Sequence, residues 1–132
     1  MECEGQGNIQ EALALFTQAW NEARTPFEKL TAAHYVARHQ PTVQEKLRWD
    51  VVALDLAQVV RSKGVKEAFP SLYLNVGKGY EDLGDLIKAR MHYEKALSFL
   101  QHLPDDGYGD FIKNGIKNRL QNLSVKKNAL VA

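Results

Sequence analysis

The stretch YLNVGKGYEDLGDLIKARMHYEKALSFLQHLP, residues 73–104, carries the clearest pattern in the chain. Aromatic and small residues recur in it at helical spacing: Tyr73, Val76, Gly77, Tyr80, Ala89, Tyr93 and Ala96. The pair Gly84-Asp85 divides the stretch, since Gly can end one helix in a left-handed conformation and Asp can cap the next. The pattern therefore predicts two antiparallel helices, one over residues 71–83 and one over residues 85–103.

The Ala-aromatic-Ala spacing of this stretch occurs a second time near the N-terminus, after Gly7-Asn8. Its members share one helical face: Ala12, Phe16 and Ala19. Small residues where two helices cross, with aromatic residues between them, are typical of the tetratricopeptide repeat, whose period is about 34 residues. The chain resembles this family closely over residues 71–104, well over 7–20 and weakly over 26–60. The resemblance implies an all-α fold, a right-handed superhelix of antiparallel helix pairs (a TPR-like α-α solenoid) with a C-terminal capping helix.

On this resemblance the chain is expected to be a single helical domain, residues 1–132, built from four segments. They are the second helix of an incomplete repeat at 7–22, a degenerate repeat at 26–62, a well-formed repeat at 71–103 and a capping helix at 110–123. In the degenerate repeat, Thr25 and Thr42 are expected to cap two helices, with Pro26 in the first turn of one of them. Gly64 and Pro70 punctuate the surplus before the well-formed repeat and predict a helix extension followed by a loop.

The last predicted helix begins after Asp110, which can cap it. Its inner face is expected to consist of apolar and small residues at helical spacing: Phe111, Gly115, Ile116, Leu120 and Leu123. Residues 124–132 begin with a basic segment and are expected to fray.

Composition favours a soluble globular protein, with 45% hydrophobic and 25% charged residues. Seventeen basic residues oppose sixteen acidic ones, so no electrostatic attraction to nucleic acid or to a membrane surface is expected. The polar start is unlike a secretory signal, and the apolar stretches are too short to span a bilayer. Cys3 is the single cysteine, which excludes an internal disulfide, so a cytoplasmic location is the default expectation.

The family resemblance implies protein–protein interaction through a concave groove and no catalysis. The groove residues expected from family geometry are Thr31, Tyr35, Arg38, Leu74, Asn75, Lys78, Glu81 and Lys113. In family members that hold a C-terminal carboxylate, an Asn and a basic residue occupy the places of Asn75 and Lys113. A second basic residue of that arrangement would fall on Gly109, so a carboxylate clamp and a merely solvated groove face both stay open.

His34, Arg38 and Tyr35 form an unusual polar-aromatic run on the predicted helix 26–40. Such a patch suits an acidic or phosphorylated ligand, whether a peptide or a small molecule. The alternative is that His34 replaces a small residue at a helix crossing and is simply packed there.

The first predicted helix lacks a preceding partner helix, which leaves three large side chains as a possible self-association face: Leu13, Phe16 and Trp20. This pattern indicates either a fragment of a longer repeat array or a homodimer. An alternative function is therefore an oligomerisation or structural segment of a larger regulatory protein.

No catalytic, cofactor or metal pattern stands out. His34 and His39 are five residues apart, which does not place two ligands on one helical face. An acidic loop beginning at Asp105 or Asp106 reaches Ile116 or Lys117 where a calcium-binding loop needs Glu. We therefore expect no enzyme activity, no metal and no cofactor.

Overall fold

The structure is a computed structural model that describes residues 8–60, 64–103 and 105–131. All regular secondary structure in these ranges is helical, which confirms the predicted all-α class. The helices are α1 (Ile9–Glu22), α2 (Pro26–Arg38), α3 (Val43–Ala57), α4 (Val65–Asp82), α5 (Leu86–Ser98) and α6 (Gly107–Val131), with a 3₁₀ turn at Leu100–His102. The chain divides into two compact units, Met1–Arg61 and Ser62–Ala132. Cys3, Gly7 and Pro104 lie outside the described residues.

Helices α2 and α3 of the first unit begin where the capping chemistry predicts. Thr25 Oγ1 accepts a hydrogen bond from the backbone N–H of Glu28 at 3.1 Å, and Pro26 occupies the first turn of α2. Thr42 Oγ1 accepts from the N–H of Glu45 at 3.2 Å and caps α3 in the same way. Each cap satisfies an N–H group that the helix itself leaves without a partner.

Small side chains allow α2 and α3 to pack closely against each other. The two helices pack against each other, and each contributes two almost fully buried alanines: Ala33 and Ala37 from α2, and Ala53 and Ala57 from α3. Helix α1 packs on α2 and buries Ala12 completely. The first unit is therefore a three-helix arrangement in which α1 has fewer neighbours than α2.

In the second unit, a tight turn joins α4 to α5. Gly84 has φ +84°, a left-handed conformation that a residue with a Cβ adopts only at a cost. Asp85 Oδ1 then accepts from the N–H of Lys88 at 3.1 Å and caps α5. The predicted Gly-Asp division between the two helices is confirmed.

The crossing of α4 and α5 is close because Gly77 faces Tyr93. A Cβ built on Gly77 would lie 2.5 Å from Tyr93 Cε1 and 2.6 Å from Cδ1. Tyr93 is fully buried, as are Ala89 and Ala96 on either side of it. The face that the Ala-aromatic-Ala spacing predicts is therefore the buried face of α5.

The structure corrects the predicted ends of this helix pair. Helix α4 begins at Val65 instead of residue 71, and Pro70 lies inside it. Proline removes one backbone hydrogen bond, but the added turn buries Val65 and Phe69, and the Phe69 ring stacks on Phe99 at 4.8 Å. Helix α5 ends at Ser98, and the 3₁₀ turn that follows tightens the last carbonyls.

The predictions for the last helix need three corrections. Helix α6 begins at Gly107 because Asp106, not Asp110, supplies the cap: its Oδ1 accepts from the N–H of Gly109 at 3.0 Å. The helix also continues to Val131 instead of ending at residue 123. Among the side chains of residues 107–126, the buried apolar positions are Ile112, Ile116 and Leu123. Phe111 is 74% exposed, since it lies about 100° around the helix from Ile112.

None of the helices in the described ranges is both long enough and apolar enough to cross a membrane.

Candidate functional site

An apolar hollow of the first unit lies between α1 and α2 and is here called the α1–α2 hollow. Its volume is about 450 Å³, and it is lined by Phe16, Ala19, Phe27, Glu28, Thr31, Ala32 and Tyr35. Phe27, Thr31 and Tyr35 follow one another at intervals of four residues, so they form one face of α2. Two alanines in the lining leave the space that larger side chains would fill.

Aromatic rings give the α1–α2 hollow a rigid apolar wall. The rings of Phe16 and Tyr35 stack with centroids 4.9 Å apart and planes 14° apart. Phe27 is 53% exposed, which leaves about half of a large apolar side chain in water. Thr31 Oγ1 donates to the carbonyl of Phe27 at 3.0 Å, so its hydroxyl proton is used within α2. The hollow therefore offers apolar contact far more than hydrogen bonding.

Glu28 carries the charge of the hollow. Among its lining residues in the described part of the chain, Glu28 is the one acidic side chain, and no basic side chain is present. Thr25 Oγ1 donates to its Oε1 at 3.2 Å, and the side chain is exposed. The next residue, Lys29, lies on Trp20 instead, with Nζ 4.4 Å from the ring centroid. Glu28 therefore lies at the hollow, whereas the adjacent Lys29 lies on the Trp20 ring.

A second hollow lies nearer the C-terminal end of α2. Its volume is about 560 Å³, and its lining is Ile9, Gln10, Leu13, Arg38, His39, Gln40 and Pro41. Two of its polar side chains bond the last carbonyls of α2: His39 Nδ1 lies 2.9 Å from the oxygen of Tyr35, and Gln40 Nε2 donates to Val36 at 3.1 Å. The Phe16 ring contacts His39 at 5.2 Å and so borders both hollows. His39 and Gln40 therefore satisfy carbonyl groups at the C-terminus of α2.

Three of the predicted groove residues are in the first unit and lie beside these hollows. Thr31 and Tyr35 line the α1–α2 hollow, and Arg38 lines the second. His34, on the same helix, is half-buried. Its pKa is lowered mainly by burial, and further by the positive charges of Arg38 and Lys46. The imidazole is therefore held neutral, which weakens its attraction for an acidic or phosphorylated ligand.

The other predicted groove residues are in the second unit, and two of them are placed differently from the expectation. Leu74 and Glu81 are buried in α4 and offer no surface to a partner. Leu74 points towards α6, where its Cδ2 would lie 3.9 Å from a Cβ on Gly115. Asn75 and Lys78 are half-buried on α4. The groove face expected from family geometry therefore includes two residues, Leu74 and Glu81, that belong to the buried core in the structure.

Lys113 is exposed on α6 and lines a hollow of about 300 Å³ together with Asp105 and Asp110. These carboxylates lie on the same surface as the ammonium group. A carboxylate ligand would meet them as well as Lys113, and the clamp with Asn75 stays a prediction.

Glu81 is instead the buried centre of an ionic cluster whose two basic members, Arg119 and Lys126, are partly exposed. Tyr93 Oη donates to its Oε1 at 2.7 Å, Lys126 Nζ donates to Oε2, and Arg119 Nη1 lies 3.8 Å from Oε1. Burial alone would raise the pKa of the Glu81 carboxyl, but the Lys126 and Tyr93 hydrogen bonds and the charges of Lys126 and Arg119 hold it below its ordinary value. Burial and the carboxylate raise the pKa of Tyr93. The cluster joins α4 to α5 and α6, so its role is structural.

The predicted self-association residues are all half-buried within the first unit: Leu13, Phe16 and Trp20. The Trp20 ring meets Trp49 edge-on at 5.2 Å and carries Lys29 on its face. Part of the surface expected to be uncovered is therefore used by α2 and α3.

Sequence reasoning missed Phe27 and Glu28 as members of the candidate site. Phe27 lies one helical turn before Thr31, on the same face of α2, and this spacing is a usable signal. Glu28 reads in the sequence only as part of a helix start, because it follows Thr25 by three residues. Its place in a hollow depends on the position of α1, which the spacing within α2 does not contain.

Comparison of the chain with protein-family models, curated proteins and solved structures gave no match. Among the described residues, no group of three or more His, Cys, Asp or Glu side chains is arranged to hold a metal ion.

Proposed function

We propose that this chain is a protein–protein interaction module, and that it binds a peptide or an exposed segment of a partner in the α1–α2 hollow. The observation that carries the proposal is the hollow itself, a concave surface with three aromatic rings and two alanines in its lining. Binding sites of this kind usually combine an apolar pocket with a few polar groups at its edge. Aromatic side chains in such pockets tend to dominate binding energy.

The energy available at the hollow is modest and suits a reversible interaction. Complete burial of a Phe side chain contributes about 1.5–3 kcal/mol, so covering the exposed half of Phe27 contributes about 1 kcal/mol. Phe16 and Tyr35 are already stacked, so their rings lose little freedom when a ligand covers them. A ligand side chain buried between the rings would add its own transfer free energy.

The proposal includes the tetratricopeptide-like solenoid. Two features of the second unit support it: the close approach of Gly77 to Tyr93 and the left-handed Gly84 before the capped α5. Both match what a repeat of antiparallel helix pairs needs at its crossing and at its turn. In such a protein the first helix of each pair faces the groove, and α2 holds that place in the degenerate repeat.

A matched pair of variants tests whether the α1–α2 hollow is the binding surface. Ala19 lines the hollow, whereas Ala14 is exposed elsewhere on α1. Peptides selected by display against the wild-type chain would be titrated into Ala19→Arg and Ala14→Arg. Both tryptophans, Trp20 and Trp49, belong to the first unit, so intrinsic fluorescence reports binding there.

We expect Ala19→Arg to weaken binding about tenfold or more, equivalent to about 1.4 kcal/mol, because its side chain fills the hollow. Ala14→Arg should bind like the wild type. Equal affinities of the two variants, or failure of any peptide to be selected, would overturn the proposal.

A second candidate function, self-association, is favoured by an exposed apolar stripe on the other unit. Ile87 and Met91 lie one helical turn apart on α5 and are 78% and 60% exposed, and Leu83 at the end of α4 is also exposed. Light scattering over a wide concentration range would test it with Ile87→Glu. A mass that stays monomeric in the wild type at high concentration would exclude this candidate.

A further inference from the structure

We propose that the ligand of the α1–α2 hollow is a peptide with a bulky apolar side chain next to a basic residue. This inference rests on the proposed function and names the chemistry of its partner. The bulky side chain would occupy the hollow, and the neighbouring cation would meet Glu28.

The lining determines the apolar part of the ligand. Phe16, Phe27 and Tyr35 line the hollow with aromatic rings, and the small side chains of Ala19 and Ala32 leave space in it. Aromatic pairs attract beyond the effect of buried area alone, and branched aliphatic side chains also pack well against rings. The Thr31 hydroxyl donates to the Phe27 carbonyl, so it offers no proton to a polar ligand side chain, and most of the other lining side chains are apolar.

Glu28 determines the charged part. It is the acidic residue among those that line the hollow in the described ranges, and its side chain is exposed. Lys29, which could neutralise it, has its ammonium group over the Trp20 ring. A basic residue beside the ligand's apolar anchor is therefore attracted, and an acidic residue in the same place is repelled.

Helix dipoles do not cancel this preference. The N-terminus of α2 carries a partial positive charge of about half an elementary charge, which opposes Glu28. The C-terminus of α1 carries a partial negative charge of the same size and is connected to α2 by residues 23–25 alone. The two partial charges have opposite signs, and each is about half the full charge that Glu28 brings to the lining of the hollow.

The expected selectivity is small because Glu28 is exposed to solvent. An ion pair at an exposed site favours a basic over a neutral neighbour by about two- to fivefold at low ionic strength. Salt should reduce this ratio towards unity, since exposed charges are screened over about 10 Å at 0.1 M. The apolar anchor should respond little to the same change.

The experiment compares short synthetic peptides that carry a fluorescent label. One series varies the anchor among Phe, Leu and Ala beside a constant Lys, and the other varies the neighbour among Lys, Ser and Glu beside a constant Phe. Fluorescence anisotropy at low and high salt gives the dissociation constants. The peptides with Lys, Ser and Glu neighbours are compared on the wild-type chain, so this comparison does not depend on whether a variant protein folds.

The chain contains a matched control for Glu28. Thr25 and Glu28 begin α2 in the way that Thr42 and Glu45 begin α3, and both Glu residues are exposed. Glu45 does not line the α1–α2 hollow. Glu28→Gln and Glu45→Gln both remove a charge from the first turn of a helix, but only Glu28→Gln changes the charge of the α1–α2 hollow. The Thr25 hydroxyl, which donates to Glu28 Oε1, can donate to the amide oxygen of Gln in the same way.

We expect Phe and Leu anchors to bind at least about tenfold more tightly than Ala. Lys neighbours should be preferred in the wild type and in Glu45→Gln, and the preference should disappear in Glu28→Gln while the Phe anchor still binds. If Phe peptides bind with all three neighbours equally, and Glu28→Gln changes nothing, the charge inference is wrong and the proposed function stands. If no anchor binds and Ala19→Arg is without effect, the proposed function fails as well.

Discussion

Replacement of Gly77 by alanine tests how closely α4 and α5 approach each other. The new Cβ would lie 2.5 Å from Tyr93 Cε1, whereas carbon atoms in contact prefer about 3.5–4.0 Å. The ring would have to move by about 1 Å. Tyr93 is fully buried and its hydroxyl donates to Glu81 at 2.7 Å, so it has neither space nor freedom to move.

The size of the effect follows from two opposing contributions. Alanine in a helix interior is favoured over glycine by about 0.5–1 kcal/mol. Overpacking of a filled core costs about 1–3 kcal/mol, and displacement of the Tyr93 hydroxyl from a buried carboxylate adds to that cost. We expect Gly77→Ala to lower the free energy of unfolding by about 1–3 kcal/mol.

Gly115→Ala is the matched control, since the nearest atom to its new Cβ is Leu74 Cδ2 at 3.9 Å, an ordinary contact. This variant should be as stable as the wild type or more stable by up to about 1 kcal/mol. Urea unfolding followed by far-UV circular dichroism compares the variants. Hydrogen exchange of α4 and α5 amides locates the change, because no tryptophan lies in the second unit.

A double-variant cycle separates the clash from other effects of the substitution. With Tyr93→Leu the ring is absent, and Gly77→Ala should then cost nothing in that background. The reasoning is refuted if Gly77→Ala leaves the unfolding free energy and the α4 amide protection unchanged, or if it costs as much beside Leu as beside Tyr.

Three other predictions follow from the same structure. The pKa of Glu81 in the folded protein lies below its ordinary value. Its carboxylate therefore stabilises the fold fully above the usual carboxyl pKa range, and this stabilisation is lost as the pH falls through the folded pKa. Urea unfolding at several pH values should show a smaller loss of stability in acid for Glu81→Gln than for the wild type. Because burial lowers the pKa of His34, protonation should cost stability as the pH falls below about 6.5, and nuclear magnetic resonance should find an imidazole pKa below that value; a value at or above it would contradict the packing. Trp20→Ala removes the edge-on contact with Trp49 and should lower the stability of the first unit by about 2 kcal/mol, read from Trp49 emission; an unshifted transition would show that the indole contact contributes little.

Local chemistry made much of the fold predictable from the sequence. Thr25, Thr42, Gly84 and Asp85 each act within a few residues, through a cap or a left-handed turn, and each does so in the structure. The ends of α6 were not predictable in this way. Asp106 and Asp110 are both residues that favour a cap, so local sequence does not distinguish them, and in the structure Asp106 supplies the cap.

The candidate site was predictable only in part, for a related reason. Spacing within α2 identifies Thr31 and Tyr35, because residues four apart share a face whatever lies beside them. It does not say how far that face is turned towards another helix. The same uncertainty placed Leu74 and Glu81 in a groove, although both are buried in the structure.

Glu28 and Glu81 show that the direction in which a helical face points, to solvent or to the core, decides what a charged residue on that face can do. Glu81 is buried and satisfied by Tyr93 and Lys126, so its removal should be measured as lost stability. Glu28 is exposed in an apolar hollow, so its removal should be measured as lost ligand selectivity at nearly unchanged stability. Unfolding and binding measurements on Glu81→Gln and Glu28→Gln therefore test the assignment of a structural and a binding role independently. A binding loss without a stability loss in Glu81→Gln would place the working surface on the second unit instead.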